Sequence, residues 1–103
     1  MKIPQRLGGV TIVPRTTADV APEILFYGAE WCGDCRRSKR QLAELGVSFT
    51  YLDVENNDEY RDAAIAISGK QSIPVVVFED GTYLVEPSNP DLAEKLRELG
   101  ITA

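Results

Sequence analysis

Residues 24–35, with the sequence ILFYGAEWCGDC, carry the strongest structural signal in this chain of 103 residues. The run Ile24–Tyr27 is continuous, apolar and partly aromatic, which is typical of a buried β-strand, and Gly28 ends it. A helix is predicted from about Gly33 to Leu45, and Gly46 stands where a left-handed helix end is expected. Its predicted inward stripe consists of Cys35, Ser38, Leu42 and Leu45. The segment therefore predicts a strand that leads directly into a helix.

The next part of the chain repeats this order. Residues 47–54 are rich in β-branched and aromatic side chains and predict a second strand. The polar run at residues 56–59 offers a cap and an acidic first turn for a second helix, which Gly69 closes. The predicted inward stripe of that helix consists of Tyr60, Ala63, Ala64 and Ile67. The first two strands are expected to be parallel and joined by a right-handed crossover.

The last third of the chain predicts a hairpin and a terminal helix. Residues 75–78 read as a third strand, the pair Asp80-Gly81 as a turn, and residues 82–85 as the returning strand. The final helix is predicted to be capped by Asn89, with Pro90 in its first turn. Its apolar stripe consists of Leu92, Leu96 and Leu99.

This order, βαβαββα, predicts an α/β fold with a four-stranded mixed sheet flanked by helices. The short apolar run at residues 10–13, VTIV, is compatible with an extra N-terminal strand and equally with a loop. We therefore interpret residues 1–22 as an N-terminal extension and residues 23–103 as one domain.

Composition excludes several classes of function. Eleven Lys and Arg against sixteen Asp and Glu give a net charge of −5, which argues against nucleic acid as a partner. The chain has no His, which removes the commonest general base and metal ligand. It also lacks an apolar run long enough to cross a bilayer and an apolar secretory signal, so we expect a cytoplasmic protein without membrane contact. Two cysteines remain, too few for a four-cysteine metal site in one chain.

These two cysteines, Cys32 and Cys35, lie three residues apart at the predicted strand-to-helix junction. At this spacing their Cα atoms are within the range that a disulfide tolerates. We expect Cys32 to be exposed at the helix tip and to act as the attacking thiolate, with Cys35 as a shielded resolving thiol. The alternatives are a pair of ordinary core cysteines or a metal site completed by another chain.

The residues around the two thiols suggest binding and activating roles. Arg36 and Lys39 follow Cys32 and Cys35 by four residues each, so their charges are expected to favour the thiolate form of Cys32. Asp34 opposes this effect. Substrate contact is predicted for Gly33 and Asp34 between the thiols, for Trp31 before them, and for the Ile73-Pro74 segment before the third strand. Core packing of Trp31, and a solvated helix face for the basic run of residues 36–40, are the alternatives.

Taken together, these residues resemble the glutaredoxin class of the thioredoxin superfamily. Three features carry the resemblance: the Cys32-x-x-Cys35 motif followed by Lys39, the segment Ser72-Ile73-Pro74, and a terminal helix after a hairpin. The short stretch between Cys35 and the second strand favours glutaredoxins over thioredoxins. Within the class, the motif WCGDC and the Pro-Ser pair before the last helix are most similar to mycoredoxins.

The resemblance implies a thioredoxin-like fold with a cis bond at Pro74, Cys32 as nucleophile and Cys35 as resolver. It implies mixed disulfides of proteins as substrates, no tightly bound cofactor or metal, and electrons from a low-molecular-weight thiol or a flavin disulfide reductase. A monomer is expected. Glutaredoxins usually hold glutathione with a Gly-Gly-x-Asp segment, which here reads EPSNPD at residues 86–91, so mycothiol is predicted over glutathione.

Two further functions remain open from the sequence. The first is a thioredoxin-like electron donor fed by thioredoxin reductase. The second is a cluster-binding module, in which Cys32 of two chains and two external thiols hold an iron–sulfur cluster.

Overall fold

The computed structural model describes residues 23–103 and confirms the predicted α/β order βαβαββα. The elements are β1 Leu25–Gly28, α1 Gly33–Glu44, β2 Thr50–Asp53, α2 Asp58–Ser68, β3 Val75–Val77, β4 Tyr83–Val85 and α3 Asn89–Glu98. The strand predicted at residues 10–13 lies outside the described residues. The division into an extension and a domain stays a prediction.

The four strands form one mixed sheet in the order β2-β1-β3-β4. β1 is parallel to β2, with Phe26 opposite Tyr51, and antiparallel to β3, with Phe26 opposite Val76. β3 and β4 form the predicted antiparallel hairpin. β1 is therefore a central strand, which explains why it reads as an uninterrupted apolar run.

Both faces of the sheet are covered, and successive residues of β1 point to opposite faces. Phe26 belongs to the core on the side of α1 and α3, whereas Tyr27 belongs to the core on the side of α2. The first core contains both cysteines and the buried leucines Leu42, Leu92 and Leu96. The second core includes Ala64 from α2. The two thiols thus lie at one end of the larger core.

Helix boundaries follow local capping chemistry. The side chain of Asn57 caps α2 by accepting the N–H of Tyr60. Gly69 ends that helix with a φ of 73°, a backbone angle that residues with a side chain rarely adopt. The prediction of Asn89 as the cap of α3 is wrong, because the hydroxyl of Ser88 accepts the N–H of Asp91 at 3.2 Å. Asn89 is instead the first residue of the helix.

Two residues of the predicted inward stripes are exposed. Leu45 is the C-cap of α1, where the chain turns away at Gly46 with a φ of 72°, and its side chain points outward. Tyr60 in the first turn of α2 is also exposed, and Ala64 is the buried residue of that helix. The second strand is shorter than predicted, since it begins at Thr50. Among residues 23–103 there is no helix with the length and apolar character needed to span a bilayer.

Candidate active site

The two thiols lie at the start of α1, where Cys32 is the N-cap residue. Its Sγ accepts the backbone N–H of Cys35 at 3.3 Å, and its backbone is extended, with φ −83° and ψ 119°. On the other side, the Sγ of Cys32 is 4.0 Å from the carbonyl oxygen of Ile73. The structure therefore brings Cys32, Cys35 and Ile73 together, and both cysteines are reduced.

The two cysteines differ in burial, although less than the sequence predicts. Cys35 is fully buried, whereas Cys32 keeps 8% of its surface exposed. The expectation of a freely exposed Cys32 is wrong, because its Sγ turns inward to cap α1 and lies beside the Ile73 carbonyl. Burial raises the pKa of the Cys35 thiol to about 12, with the hydrogen bond to Cys32 acting in the same direction.

Gly28, which the sequence marked only as a strand end, contacts Cys35 directly. A Cβ atom placed on Gly28 would lie 2.9 Å from the Sγ of Cys35 and 2.9 Å from the Cε1 of Phe26. Real Cβ atoms essentially never approach other atoms so closely. The glycine thus allows α1 to pack its buried thiol against β1. A glycine at the end of a strand just before the Cys-x-x-Cys motif is a signal that sequence reasoning could have used.

The segment before β3 forms the opposite wall of the site. The Ile73-Pro74 peptide bond is cis, as the resemblance implies, and Pro74 is buried. The carbonyl of Pro74 accepts the N–H of Glu86 at 2.9 Å, which holds the residues after β4 beside this wall. Glu86 has a φ of 50°, in the left-handed region where a glycine is favoured.

Asp34, between the two cysteines, is paired with a residue that the sequence analysis did not single out. The Nη1 of Arg37 lies 3.0 Å from the Oδ1 of Asp34, and the Nη2 of Arg37 donates to the carbonyl of Pro87 at 3.1 Å. One turn later, the Nε2 of Gln41 donates to the carbonyl of Asn89 at 2.7 Å. This side of α1 is therefore tied to the loop between β4 and α3 and to the first residue of α3.

The two cations predicted to activate Cys32 both bind Glu30, and their effect on Cys32 stays a prediction. Arg36 donates to the backbone carbonyl of Glu30 at 2.9 Å, and the Nζ of Lys39 lies 2.9 Å from the Oε2 of Glu30. The hydrogen bond from Lys39 holds the pKa of the Glu30 carboxyl below its usual range. Lys39 also lies over the ring of Tyr51, 4.1 Å from its centroid. Sequence reasoning did not single out Glu30 or Tyr51.

A groove of about 670 Å³ opens beside the thiols. Trp31 stands at its edge with 65% of its surface exposed, so the core alternative for this side chain is wrong. The groove is lined by Ala29, Trp31, Val54, Glu55, Arg61, Ala64, Ile65, Lys70, Gln71, Ser72 and Ile73. Gly33 is exposed at the start of α1. Among residues 23–103, no three Cys, Asp or Glu side chains are grouped as metal ligands.

Comparison with known proteins agrees with this geometry. The glutaredoxin family model matches residues 24–84, which span β1 to β4 and include both cysteines and the Ile73-Pro74 segment. The chain belongs to the glutaredoxin family. Membership implies thiol oxidoreductase activity, with protein disulfides and a low-molecular-weight thiol as partners.

Two bacterial relatives are similar over three quarters of the chain. A Mycobacterium tuberculosis protein, provisionally named as a glutaredoxin, is 28% identical over 78 residues, which are 75% of this chain and 93% of the relative. Mycoredoxin 1 of Corynebacterium glutamicum is 25% identical over 77 residues, 74% of this chain and 95% of the relative. This glutaredoxin is therefore similar to mycoredoxins, as the sequence predicts.

Solved structures confirm the thioredoxin-like glutaredoxin fold. The glutaredoxin of Archaeoglobus fulgidus superposes with a TM-score of 0.64 at 27% identity, covering 82% of this chain and 97% of that one. The NrdH-redoxin of Escherichia coli, described as a glutaredoxin-like protein with a thioredoxin-like activity profile, gives a TM-score of 0.61 at 25% identity. The match covers 72% of this chain and 93% of that one.

Proposed function

We propose that this glutaredoxin reduces mixed disulfides between proteins and mycothiol through Cys32 and Cys35. The thiolate of Cys32 attacks the sulfur of mycothiol, and the protein thiolate leaves and takes a proton from solvent. The mixed disulfide now on Cys32 is resolved in one of two ways. Cys35 attacks the Sγ of Cys32, forms the Cys32–Cys35 disulfide and releases mycothiol as its thiolate, or a second mycothiol attacks the bound mycothiol sulfur, forms mycothiol disulfide and restores the Cys32 thiolate.

One observation carries this proposal. The Sγ of Cys32 accepts the Cys35 N–H at the start of α1, at the end of the helix that carries partial positive charge. Cys35 is fully buried behind Cys32, so a substrate reaches Cys32 first. This arrangement suits one attacking and one resolving thiol.

The groove beside the thiols is the proposed binding site for the sulfur-bearing substrate. Trp31 offers an exposed flat ring at one edge, and the carbonyl of Ile73 faces the Sγ of Cys32. Pro74 fixes this wall, since its carbonyl is bonded to the backbone after β4. Substrate contact by Gly33 and Asp34, at the start of α1, is part of this proposal.

The choice of mycothiol rests first on the loop after β4. In place of a glycine pair this loop carries Glu86, whose carboxylate is exposed next to the wall formed by Pro74. The start of α3 is already satisfied, because Ser88 caps it and Asp91 lies in its first turn. A carboxylate of glutathione would meet negative charge here, whereas mycothiol, a sugar-linked cysteine derivative, brings hydroxyl groups and no carboxylate.

Two other acidic residues, Asp80 and Asp34, contribute less than Glu86. Asp80 belongs to the turn between β3 and β4, at the opposite end of β3 from Pro74, so it is remote from the thiols. Asp34 is paired with Arg37, which offsets part of its charge. The proposal therefore depends mainly on Glu86 and on the capped start of α3.

The thiol roles are tested by the reduction of a small mixed disulfide with excess thiol. We expect Cys32→Ser to abolish turnover, because it removes the attacking sulfur. Cys35→Ser tests the route: retained turnover indicates that external thiol resolves Cys32, and lost turnover indicates that Cys35 is required. Full activity of Cys32→Ser would contradict the assignment.

The small thiol is tested with one protein substrate carrying either mycothiol or glutathione. We expect a higher kcat/KM for the mycothiol form, and we expect Glu86→Gln to narrow the difference by improving the glutathione form. A clearly higher kcat/KM for the glutathione form, unchanged in Glu86→Gln and in Asp34→Tyr, would contradict the charge argument.

The likeness to NrdH-redoxin supports a second candidate function. That protein is described as having a thioredoxin-like activity profile. A corresponding role for this chain is electron transfer from thioredoxin reductase, a flavin enzyme, to the Cys32–Cys35 disulfide. Reduction of that disulfide by NADPH and thioredoxin reductase, without any small thiol, would favour this second function.

A further inference from the structure

Three side chains from different parts of the fold meet on one side of α1. The reaction proposed above gives none of them a role in the step at Cys35. Lys39 comes from α1, Glu30 from the turn after β1, and Tyr51 from β2. The ammonium of Lys39 lies 2.9 Å from the Glu30 carboxylate and 4.1 Å from the centroid of the Tyr51 ring. The Lys39 side chain is only 23% exposed, so water shields its charge incompletely.

This group of three lies next to the buried thiol. Lys39 follows Cys35 by four residues in α1, which places both on the same face of the helix. Glu30 follows the fully buried Ala29, and the chain just before it, at Gly28, contacts the Sγ of Cys35. Lys39 is therefore a cation close to Cys35, and its charge acts on that thiol against the effect of burial.

The proposed reaction contains a step that needs such a cation. In the dithiol route, the Cys35 proton passes to solvent and the Cys35 sulfur attacks the Sγ of Cys32. The bond between Cys32 and the substrate sulfur breaks, and that sulfur leaves with the electron pair. Because burial raises the pKa of Cys35 to about 12, its thiolate is scarce at neutral pH and the developing charge has no solvent to stabilise it.

We infer that Lys39, held in place by Glu30 and by the ring of Tyr51, stabilises the negative charge that develops on Cys35 while the Cys32–Cys35 disulfide forms. The inference rests on the proposed function, since it concerns the dithiol step. Lys39 is a positioning residue and does not touch the reacting sulfurs. Glu30 has two effects, because it fixes the ammonium and also offsets part of its charge.

Two other titratable groups, Asp53 and Tyr51, lie near the ammonium of Lys39 and affect the local charge. Asp53, at the end of β2, adds a second carboxylate on the side of Lys39. Hydrogen bonds from Asn56 and from the backbone of Glu55 hold the pKa of Asp53 below its usual range, and the charge of Lys39 acts in the same direction. Tyr51 stays neutral, because burial raises the pKa of its hydroxyl well above its usual range and the Glu30 carboxylate acts in the same direction. Lys39 thus supplies the positive charge in this group.

The two thiol steps are separable with a symmetrical aromatic disulfide that releases a coloured thiolate. Attack by Cys32 releases the first equivalent at a rate proportional to the disulfide concentration. Resolution by Cys35 releases the second at a rate independent of that concentration, and Cys35→Ser removes this second phase. Each pK unit of thiolate stabilisation changes such a rate about threefold at constant pH, because higher nucleophilicity offsets part of the lower thiolate fraction.

We expect Lys39→Met to slow the second phase about threefold to tenfold and to move its pH profile to higher pH, while the first phase changes less than twofold. Lys39→Arg keeps the charge and restores the rate. Glu30→Gln keeps an acceptor for Lys39 but removes the opposing charge, so it accelerates the second phase. Arg40→Met, which removes an exposed cation from the same helix, leaves both phases unchanged.

Opposite effects of Lys39→Met and Glu30→Gln on one phase are not expected from general loosening of the fold. A second phase that Lys39→Met does not alter, or equal slowing of both phases, would overturn this inference alone. A wild-type protein that shows no second phase would overturn the dithiol route and the inference with it.

Discussion

The surroundings of Cys32 and those of Cys35 differ in almost every respect, although the two residues are three positions apart. The sulfur of Cys32 contacts two backbone groups, the N–H of Cys35 and the carbonyl of Ile73, and its neighbour Trp31 lines an open groove. The sulfur of Cys35 is enclosed by β1 and its glycine. One helical turn therefore carries a thiol adapted to meet substrates and a thiol kept away from solvent.

This difference arises from where α1 begins. As the N-cap residue, Cys32 lies outside the first helical turn, so its side chain turns back over the free N–H groups of that turn. Cys35 is inside the helix on the face that packs against the sheet, together with Ser38 and Leu42. If α1 began one residue earlier or later, both sulfurs would have different neighbours. The position of the cap therefore determines which thiol is available to attack a substrate.

The largest expected effect comes from closing the space around Cys35. Gly28→Ala places a Cβ within 2.9 Å of Cys35 and Phe26, and we expect it to lower the free energy of unfolding by about 2 kcal/mol. Gly33→Ala is the matched control, because its Cβ would meet only the Arg36 Nη2, at 4.0 Å. Chemical denaturation measures both. Equal stabilities of the two variants would show that Cys35 is not tightly enclosed.

The second prediction concerns the effect of Cys35 on the pH dependence of stability. The folded protein holds the pKa of Cys35 near 12, above the ordinary thiol value of 9.0, so the unfolded chain loses this proton first. The stabilisation is fully present below pH 9 and is lost as pH rises toward 12. We expect the free energy of unfolding to fall by about 1 kcal/mol per pH unit in that range. In Cys35→Ala this contribution disappears, and an identical alkaline slope in the variant would contradict it.

A smaller effect is expected on the side of Cys32. Arg37→Met removes the pair with Asp34 and the hydrogen bond to Pro87. Both partners of the pair are more than 40% exposed, so we expect a loss of only about 0.5 kcal/mol of stability. The freed loop after β4 should raise KM for the small thiol while the alkaline slope of Cys35 stays as in the wild type. An unchanged KM would show that this tether does not shape the binding site.

The smallest effect concerns Glu30 at low pH. Its hydrogen bond to Lys39 lowers the pKa of Glu30 in the folded protein, so this contribution is present above the unfolded pKa near 4.5 and is lost as pH falls through the folded value. The stability difference between the wild type and Glu30→Gln should therefore shrink between pH 6 and pH 3. Denaturation curves across that range measure it, and a constant difference would contradict the prediction.

The sequence predicted the parts of the fold that depend on neighbours along the chain. The strand β1 at Leu25–Gly28, the helix that begins at Gly33 and the end of α2 at Gly69 follow local patterning and backbone preference. Where two neighbouring residues compete for one role, the prediction was wrong: Ser88 caps α3 in place of Asn89. Both are good caps, and only the backbone conformation decides between them.

In the candidate site, too, the features that depend on spacing along the chain were predictable. The Cys-x-x-Cys spacing and the Ile73-Pro74 segment identified the residues that now lie together. The spacing of Lys39 indicated proximity to a thiol, but its partners Glu30 and Tyr51 come from elements whose positions depend on the whole sheet. The pair of Asp34 and Arg37, at helical spacing, could have been found from the sequence.

The sulfur of Cys32 serves as the cap of α1, and this links helix stability to electron transfer. The N–H of Cys35 reaches the Sγ of Cys32 while both cysteines are free, so any change of this hydrogen bond on disulfide formation couples the first turn of α1 to the redox state. The two effects are thermodynamically linked. The free energy by which the reduced sulfur stabilises the helix, relative to the disulfide, equals the free energy by which the helix favours the reduced state. For a two-electron couple each 1.4 kcal/mol of this bias lowers the tendency to oxidise by about 30 mV. The reduction potential of this protein thus depends in part on the residue at which α1 begins.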